Sequence, residues 1–445
     1  MNTQKRDGMS YGRYLLSTLP SILSMVFLSF YTTIDGFFVS LTNGPDALAA
    51  INIALPISSI IFGLAVMLAT GSGAIIGMRL GEDRVKDARN LFSFISAILL
   101  IFTIFLTIIG LILLKPLARL LGSTERLDPY VIPYLGIIIL GTAPMAFKLF
   151  FEYMVRTDNK PQLALVSATL GLVLNIIFDY ILVVVLKLGT IGAGLGTLFS
   201  IICSTLVGFI HFIKGKNICY TRFKPEWDSL LHSCSNGSSE MLSELSVGIT
   251  TFLFNIVLLH YYGEEGVAAV TIVTYVYYFF IAFYMGLGVA TAPKVSYSLG
   301  EGNHKNIRRL VKYAVITLLT FSIGIWLLAF LSSPFTTSLF LHGGNRELTI
   351  EGLRGSSFVF LFAGFNIVLS AYFTAIGDGF ASAVISTLRS FLLVCPLVIL
   401  LPALFGPDAI WITLPLADAL TLFVSAFLYT RRGRVKLLQE KEHFS

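Results

Sequence analysis

Residues 44–89 read GPDALAAINIALPISSIIFGLAVMLATGSGAIIGMRLGEDRVKDAR, and residues 263–308 read GEEGVAAVTIVTYVYYFFIAFYMGLGVATAPKVSYSLGEGNHKNIR. Laid over one another without a gap, at an offset of 219, they are identical at ten of 46 positions. Apolar composition alone produces chance matches. It does not align the charged turn Leu80-Gly81-Glu82 with Leu299-Gly300-Glu301, or Lys86 and Arg89 with Lys305 and Arg308. The chain is a duplication, and each copy carries an apolar run longer than the roughly 20 residues a helix needs to cross a bilayer.

Working outward from the repeat, the apolar runs predict helices near 14–40, 48–79, 91–114, 130–153, 161–186 and 190–213, then 237–261, 266–297, 309–333, 353–376, 380–402 and 408–430. The expected fold is an all-α polytopic membrane protein of twelve spans in two pseudo-symmetric six-helix lobes. Six is even, so both halves enter the membrane from the same side, as a parallel repeat. The expected organisation is an N-terminal lobe 1–213, a cytoplasmic linker 214–236, a C-terminal lobe 237–430 and a cytoplasmic tail 431–445. Composition agrees: 56% of residues are hydrophobic and 13% charged, against about 25% charged in soluble domains. Of the 31 Lys and Arg, 25 belong to the termini and the even-numbered gaps between runs when the few inside a run are assigned to its closest side, which predicts that both termini are cytoplasmic. The net charge of +6 is therefore a topology signal and does not point to nucleic acid. Cys203, Cys219, Cys234 and Cys395 show no paired spacing, so neither a disulfide framework nor a zinc site is expected. The first apolar run, Tyr14 to Leu41, exceeds a signal-peptide core and reads as a retained helix.

Ionisable groups inside spans are costly, so each needs a reason. Asp35 lies in the first predicted helix and Asp179 in the fifth, with Tyr31 and Asn175 four residues before them on the same faces. Thr197 in the sixth adds a hydroxyl. Two carboxylates in a poorly hydrated site cannot both ionise cheaply, and a proton or a hard cation such as Na⁺ relieves the repulsion. Tyr31, Asp35, Asn175, Asp179 and Thr197 are thus the expected coupling-ion site, with Asp35, Asp179, Asn175 and Thr197 as the ligands if the ion is Na⁺. The plainer alternative places Asp35 at a wet helix end, bonded only to Tyr31. No other metal, no catalytic group and no cofactor is expected. The offset puts Phe254 opposite Asp35, and a neighbouring offset of 220 puts Ile399 opposite Asp179. The expectation is that only the first lobe holds carboxylates deep in its spans.

In the second half, Glu240 and Glu244 sit one turn apart, either to attract a cationic substrate or to rest in headgroup water. Lys148 and Glu152 share a face and are expected to neutralise one another. Arg389 and Asp418 are read as packing. Pro20, Pro56, Pro144, Pro293, Pro396 and Pro415 fall inside predicted spans, where each frees a carbonyl and can bend its helix.

The stretch Tyr31-Thr-Thr-Ile-Asp35-Gly-Phe-Phe-Val-Ser, followed by Gly44 and Ala47-Leu-Ala-Ala50, resembles the first helix and loop of the multidrug and toxic compound extrusion (MATE) transporters, in their MepA-like bacterial branch. Gly71-Ser-Gly-Ala74, the Asn175–Asp179 stretch and Ser386-Thr-Leu-Arg389 fit the same pattern, over nearly the whole chain. The resemblance implies a functional monomer in a bacterial cytoplasmic membrane. It would export amphiphilic, mainly cationic drugs against H⁺ or Na⁺ by alternating access, with coupling at the five first-lobe positions. Other branches use a helix 7 glutamate and a helix 10 aspartate; here no acidic residue lies between Ser356 and Ile376, which favours the first lobe.

Three other readings are weaker. A lipid-linked oligosaccharide flippase of the same superfamily needs several basic residues inside its spans, and these are scarce. An intramembrane aspartyl protease needs a Gly-x-Gly-Asp, and Ala375-Ile-Gly377-Asp378 lacks the first glycine. An ATP-driven pump in one chain needs a GxxxxGK[ST] loop, which the sequence does not contain.

Overall fold

The computed structural model describes residues 9–340 and 345–433, the side chains at 31–37, 39–46 and 48–49 excepted. Among the described residues all regular structure is helical. The elements are α1 (Tyr11–Gly81), α2 (Val85–Ile112), α3 (Leu114–Leu120), α4 (Asp128–Leu140), α5 (Thr142–Thr157), α6 (Pro161–Asp179) and α7 (Gly189–Lys214), then α8 (Trp227–Gly300), α9 (His304–Phe340), α10 (Arg346–Ser357), α11 (Ala363–Ala375), α12 (Gly379–Thr387), α13 (Val394–Phe405) and α14 (Thr413–Leu428).

Among the described residues, nine helical stretches are long and apolar enough to span a bilayer, or eleven when each of two bent pairs counts as one span. The 74 residues of α8 count once in that tally, yet at 1.5 Å per residue they far exceed one bilayer. The helix is broken at Gly263, whose φ of 63° and ψ of −149° are non-helical and suit a residue without a Cβ. Divided there, α8 supplies two spans, and the count meets the twelve read from the apolar runs.

Several expected prolines mark breaks rather than mid-helix kinks. Pro144, Pro396 and Pro415 are each the third residue of a helix, α5, α13 and α14. A proline is tolerated in a first turn because its missing N–H has no intrahelical partner there. What precedes each is irregular: a 48° bend between α4 and α5, the π-turn Leu388–Leu392, and the 3₁₀ segment Pro407–Ile412.

The chain clusters into two compact units. One runs Leu23–Gly237; the other joins the residues up to Ile22 with those from Ser238 onward. The first turns of α1 therefore cluster with the second half of the sequence, unlike the expected lobe 1–213. Tyr14 Oη lies 2.8 Å from Thr291 Oγ1, and a Cβ on Gly286 would stand 2.4 Å from the Ile22 Cα. The expected linker 214–236 is also shorter, because α8 already begins at Trp227.

In the unit 23–237, two helices meet at backbone distance. A Cβ on Gly71 would lie 1.9 Å from the Ser233 carbonyl oxygen, and one on Gly237 would lie 1.9 Å from that of Met67. Each pair on one helix is spaced by four residues, and Ser233 with Gly237 forms the small-xxx-small arrangement that lets membrane helices touch. Beside them the rings of Phe92, Phe150, Phe151 and Phe212 pack together, with Phe92 and Phe212 4.6 Å apart. The other unit centres on buried Leu258, Val273, Leu353, Val398 and Trp411.

Candidate functional site

In the unit 23–237, α6 ends on Asp179 and gives way to the π-turn Tyr180–Val185. Asn175 Nδ2 lies 3.4 Å from Asp179 Oδ2, and both side chains are fully buried. What permits this is α7. A Cβ on Gly196 would fall 2.2 Å from Asp179 Oδ1, and one on Gly192 would fall 2.8 Å from the Leu182 carbonyl oxygen. Thr197, also buried, follows directly. The stripe continues at four-residue intervals through Ser200, Ser204 and Gly208, all buried. Ser204 accepts a hydrogen bond from Ser167 through its carbonyl at 3.2 Å, and a Cβ on Gly208 would meet Phe151 at 2.5 Å. The sequence signal for this seam was the small residues 192, 196, 200, 204 and 208, which the reading by ionisable groups passed over.

Of the five expected coupling residues, Asn175 and Asp179 are brought together and Thr197 stands at the same α6–α7 contact. The side chains of Tyr31 and Asp35 lie outside the described residues.

The same unit buries a charged ladder on α5. Lys148 Nζ lies 3.3 Å from Glu152 Oε1, which also accepts from Ser167 Oγ at 3.2 Å. One turn on, Arg156 donates to the Glu152 carbonyl at 2.7 Å and to Ser24 Oγ at 2.8 Å. The Lys148–Glu152 pair is as expected. Arg156, one of the 25 charges counted on the cytoplasmic side, is nonetheless buried, because residue type does not say which face of a helix end points inward.

At one end of the unit Asp158 Oδ2 sits 2.7 Å from His211 Nε2. Its counterpart at the 220 offset, Asp378, pairs in the other unit with Arg432 at 2.9 and 3.2 Å. Each joins the turn between its lobe's fourth and fifth predicted helices to the end of the last one.

In the other unit Glu240 and Glu244 stand half-buried on α8, and Glu240 is within electrostatic reach of the Arg389 guanidinium. Arg389 Nε lies 3.2 Å from Asp418 Oδ1. Asn366 donates to the same carboxylate at 2.9 Å and to the Asp418 carbonyl at 2.8 Å, and Ser425 donates to Asn366 at 2.9 Å. The expectation that only the first lobe has deep carboxylates is therefore corrected. Asp418 lies inside α14 at 2% exposure, and a guanidinium makes that burial tolerable. The duplicated halves did not show this, because the counterpart of Asp179 is a different residue, Ile399.

Basic residues drawn into the protein are also less scarce than expected: Lys148 and Arg156 are buried on α5, and Arg389, largely covered, sits in the π-turn before α13. Each already has a carboxylate, carbonyl or hydroxyl partner.

The sequence matches the family model MatE over residues 20–181 and 241–400. Among curated proteins, it is 23% identical to the multidrug export protein MepA of Staphylococcus aureus, covering 94% of this chain and 93% of that one. It is 24% identical to an FAD transporter of Shewanella oneidensis, over 94% of each. Among solved structures, a multidrug resistance MATE family transporter of the MOP superfamily in an outward-facing conformation superposes with a TM-score of 0.91 at 24% identity, over 99% of this chain and 100% of that one.

Proposed function

The chain belongs to the MatE family of membrane transporters, and on that footing we propose that it exports amphiphilic, mainly cationic small molecules in exchange for a coupling ion, H⁺ or Na⁺. It is a transporter and not an enzyme, which disposes of the aspartyl protease. The observation that carries the coupling reading is Asp179, a fully buried carboxylate inside the apolar stretch Pro161–Val185, with an amide beside it and a glycine cut away to admit it. A carboxylate so desolvated favours whichever partner neutralises it, a proton or a hard cation.

Asp35, Tyr31 and Thr197 complete the coupling site in this reading. An ion drives transport only by binding two conformations unequally, and a carboxylate that exchanges water for protein as the lobe rearranges supplies that inequality. Glu240 and Glu244 serve as the negative wall that favours cationic cargo. Because each buried base is already partnered, the reading favours cation export over a flippase holding a pyrophosphate. The protein acts as a single chain in a bacterial cytoplasmic membrane, both termini in the cytoplasm, since both halves of the duplication lie in one polypeptide.

The test is transport in proteoliposomes with H⁺ and Na⁺ gradients imposed separately. Asp179→Asn keeps the size and hydrogen bonding of the side chain but removes the charge. It should insert and bind drug near normally, while gradient-driven efflux falls at least roughly tenfold, a loss of about 1.4 kcal/mol of coupling. Glu240→Gln with Glu244→Gln should weaken export of a cationic dye more than that of a neutral one. Undiminished uphill efflux by Asp179→Asn would refute the coupling site. FAD transported in place of dye would move the cargo to the class named for the Shewanella relative.

A further inference from the structure

Between the end of α7 at Lys214 and the start of α8 at Trp227 the chain has only twelve residues, 215–226. Both neighbours belong to membrane-spanning stretches, so this segment lies at a membrane surface. It is not a slack linker. Arg89 on α2 donates to the carbonyls of Lys216 and Asn217, the latter at 2.9 Å. Asn90 accepts from the Lys224 amide at 2.7 Å and donates to its carbonyl at 3.1 Å. Ser93 accepts from the Thr221 amide at 3.0 Å. Ile218 is fully buried, and the Tyr220 ring packs 5.1 Å from Phe92.

With its backbone pinned, this strap turns its cations outward. Lys214, Lys216, Arg222 and Lys224 are all exposed, and none of them forms an ion pair among the described residues. The strap's own acid is spent: Glu226 binds Arg79 at 2.6 Å and accepts from Ser229 at 2.8 Å and from Asn90. Burial works against that carboxylate, but the hydrogen bonds from Arg79, Asn90 and Ser229 outweigh it and hold its pKa below the ordinary value. Asp228, two residues past Glu226, is exposed. Two aromatics flank the cations, Phe223 at 42% and Trp227 at 59% exposure, and tryptophan is enriched where a membrane meets water.

We propose that the strap 214–227 is a docking surface for the anionic phospholipid headgroups of the adjoining leaflet. The charge is complementary, the surface is at the right height, and the pinned backbone means that little chain entropy is lost when lipids gather on it. Basic side chains beside a membrane helix act within a Debye length, about 10 Å at moderate salt. This proposal does not rest on the export reading; a transporter of any cargo would carry it.

The experiment uses the purified full-length protein in nanodiscs or mixed micelles titrated with phosphatidylglycerol or phosphatidylcholine. Retained lipid is read by native mass spectrometry and stabilisation by thermal melting. Wild type should retain and be stabilised by the anionic lipid over the zwitterionic one. Lys214→Gln, Lys216→Gln, Arg222→Gln and Lys224→Gln together should weaken that preference by roughly a hundredfold, discounted from the full effect of four charges near a surface. The four pinning positions use backbone atoms, so the fold should survive; the double variant Lys216→Gln with Lys224→Gln, expected to lose roughly tenfold, serves if the quadruple one does not insert. The matched control Lys305→Gln, Arg308→Gln, Arg309→Gln and Lys312→Gln removes as many charges from the start of α9 and should lose distinctly less of the preference than the strap variant. Inorganic phosphate at equal ionic strength should not displace the lipid. A strap variant with wild-type preference, equal losses in strap and control variants, or displacement by free phosphate would each overturn the proposal.

Discussion

At the scale of single residues, the α6–α7 contact depends on what Gly196 lacks. Gly196→Ala would set a methyl 2.2 Å from Asp179 Oδ1, and a short carboxylate can swing away more cheaply than a backbone can. The expected outcome is a melting point within a few degrees of wild type, a cost of about 1 kcal/mol, with ion-driven efflux lost nearly as in Asp179→Asn. Normal efflux in this variant would mean that the position of Asp179 does not matter to coupling. Glu226 offers a separate test. Its pKa is held below the ordinary value by Arg79, Asn90 and Ser229, despite burial. Its contribution is therefore fully present above the ordinary glutamate pKa and is lost as pH falls through the lowered one. Glu226→Gln should melt below wild type at neutral pH, and the gap should close in acid; a gap that widens in acid would reverse the sign. The sequence pointed to Asp179 and Asn175 through helical spacing alone, whereas Gly196 and Glu226 became legible only once the partner helix and strap were in place.

At the scale of elements, helices that touch at their backbones carry the unit 23–237. Gly71 and Gly237 each face a carbonyl oxygen at 1.9 Å from a would-be Cβ, and neither has a flexible side chain opposite it to yield. Gly237→Leu should therefore push the two helices apart, costing about 1–3 kcal/mol and appearing as poor expression or early melting. Gly248→Leu on the same α8, where nothing lies within 4 Å of a Cβ, should behave like wild type. If both leucines are tolerated equally, the close crossing is wrong. The prolines teach the same lesson from the other side. Their positions in the sequence told where helices would be interrupted, but not that Pro144, Pro396 and Pro415 would each open a new helix after the break. The two end pairs, Asp158–His211 and Asp378–Arg432, also show the duplication surviving in a contact while its chemistry diverged.

At the scale of the whole molecule, the charge bias in the gaps predicts topology, and the duplication predicts that both halves share it. A cysteine introduced between Asp83 and Asp87 should react with an impermeant label only from the cytoplasm, and one at Asn345 only from outside. Labelling of both from one face would break the even number of spans in each half and the parallel repeat with it. The clustering that joins the residues up to Ile22 with those from Ser238 onward was not legible from the repeat, because a repeat aligns segments of chain and says nothing about which neighbour a helix end chooses.

The sequence by itself determined that the chain is helical, spans a membrane many times and is duplicated, since bilayer thickness and unpaired backbone groups leave few other ways to bury such long apolar runs. It also determined that Asp179 and Asn175 share a face, because helix periodicity is local. Only the tertiary structure decided that Asp418 is buried against Arg389, that Arg156 points inward, and that a glycine stripe seats Asp179. Each of these depends on which surface meets which, and a one-dimensional pattern of residue types does not carry that information.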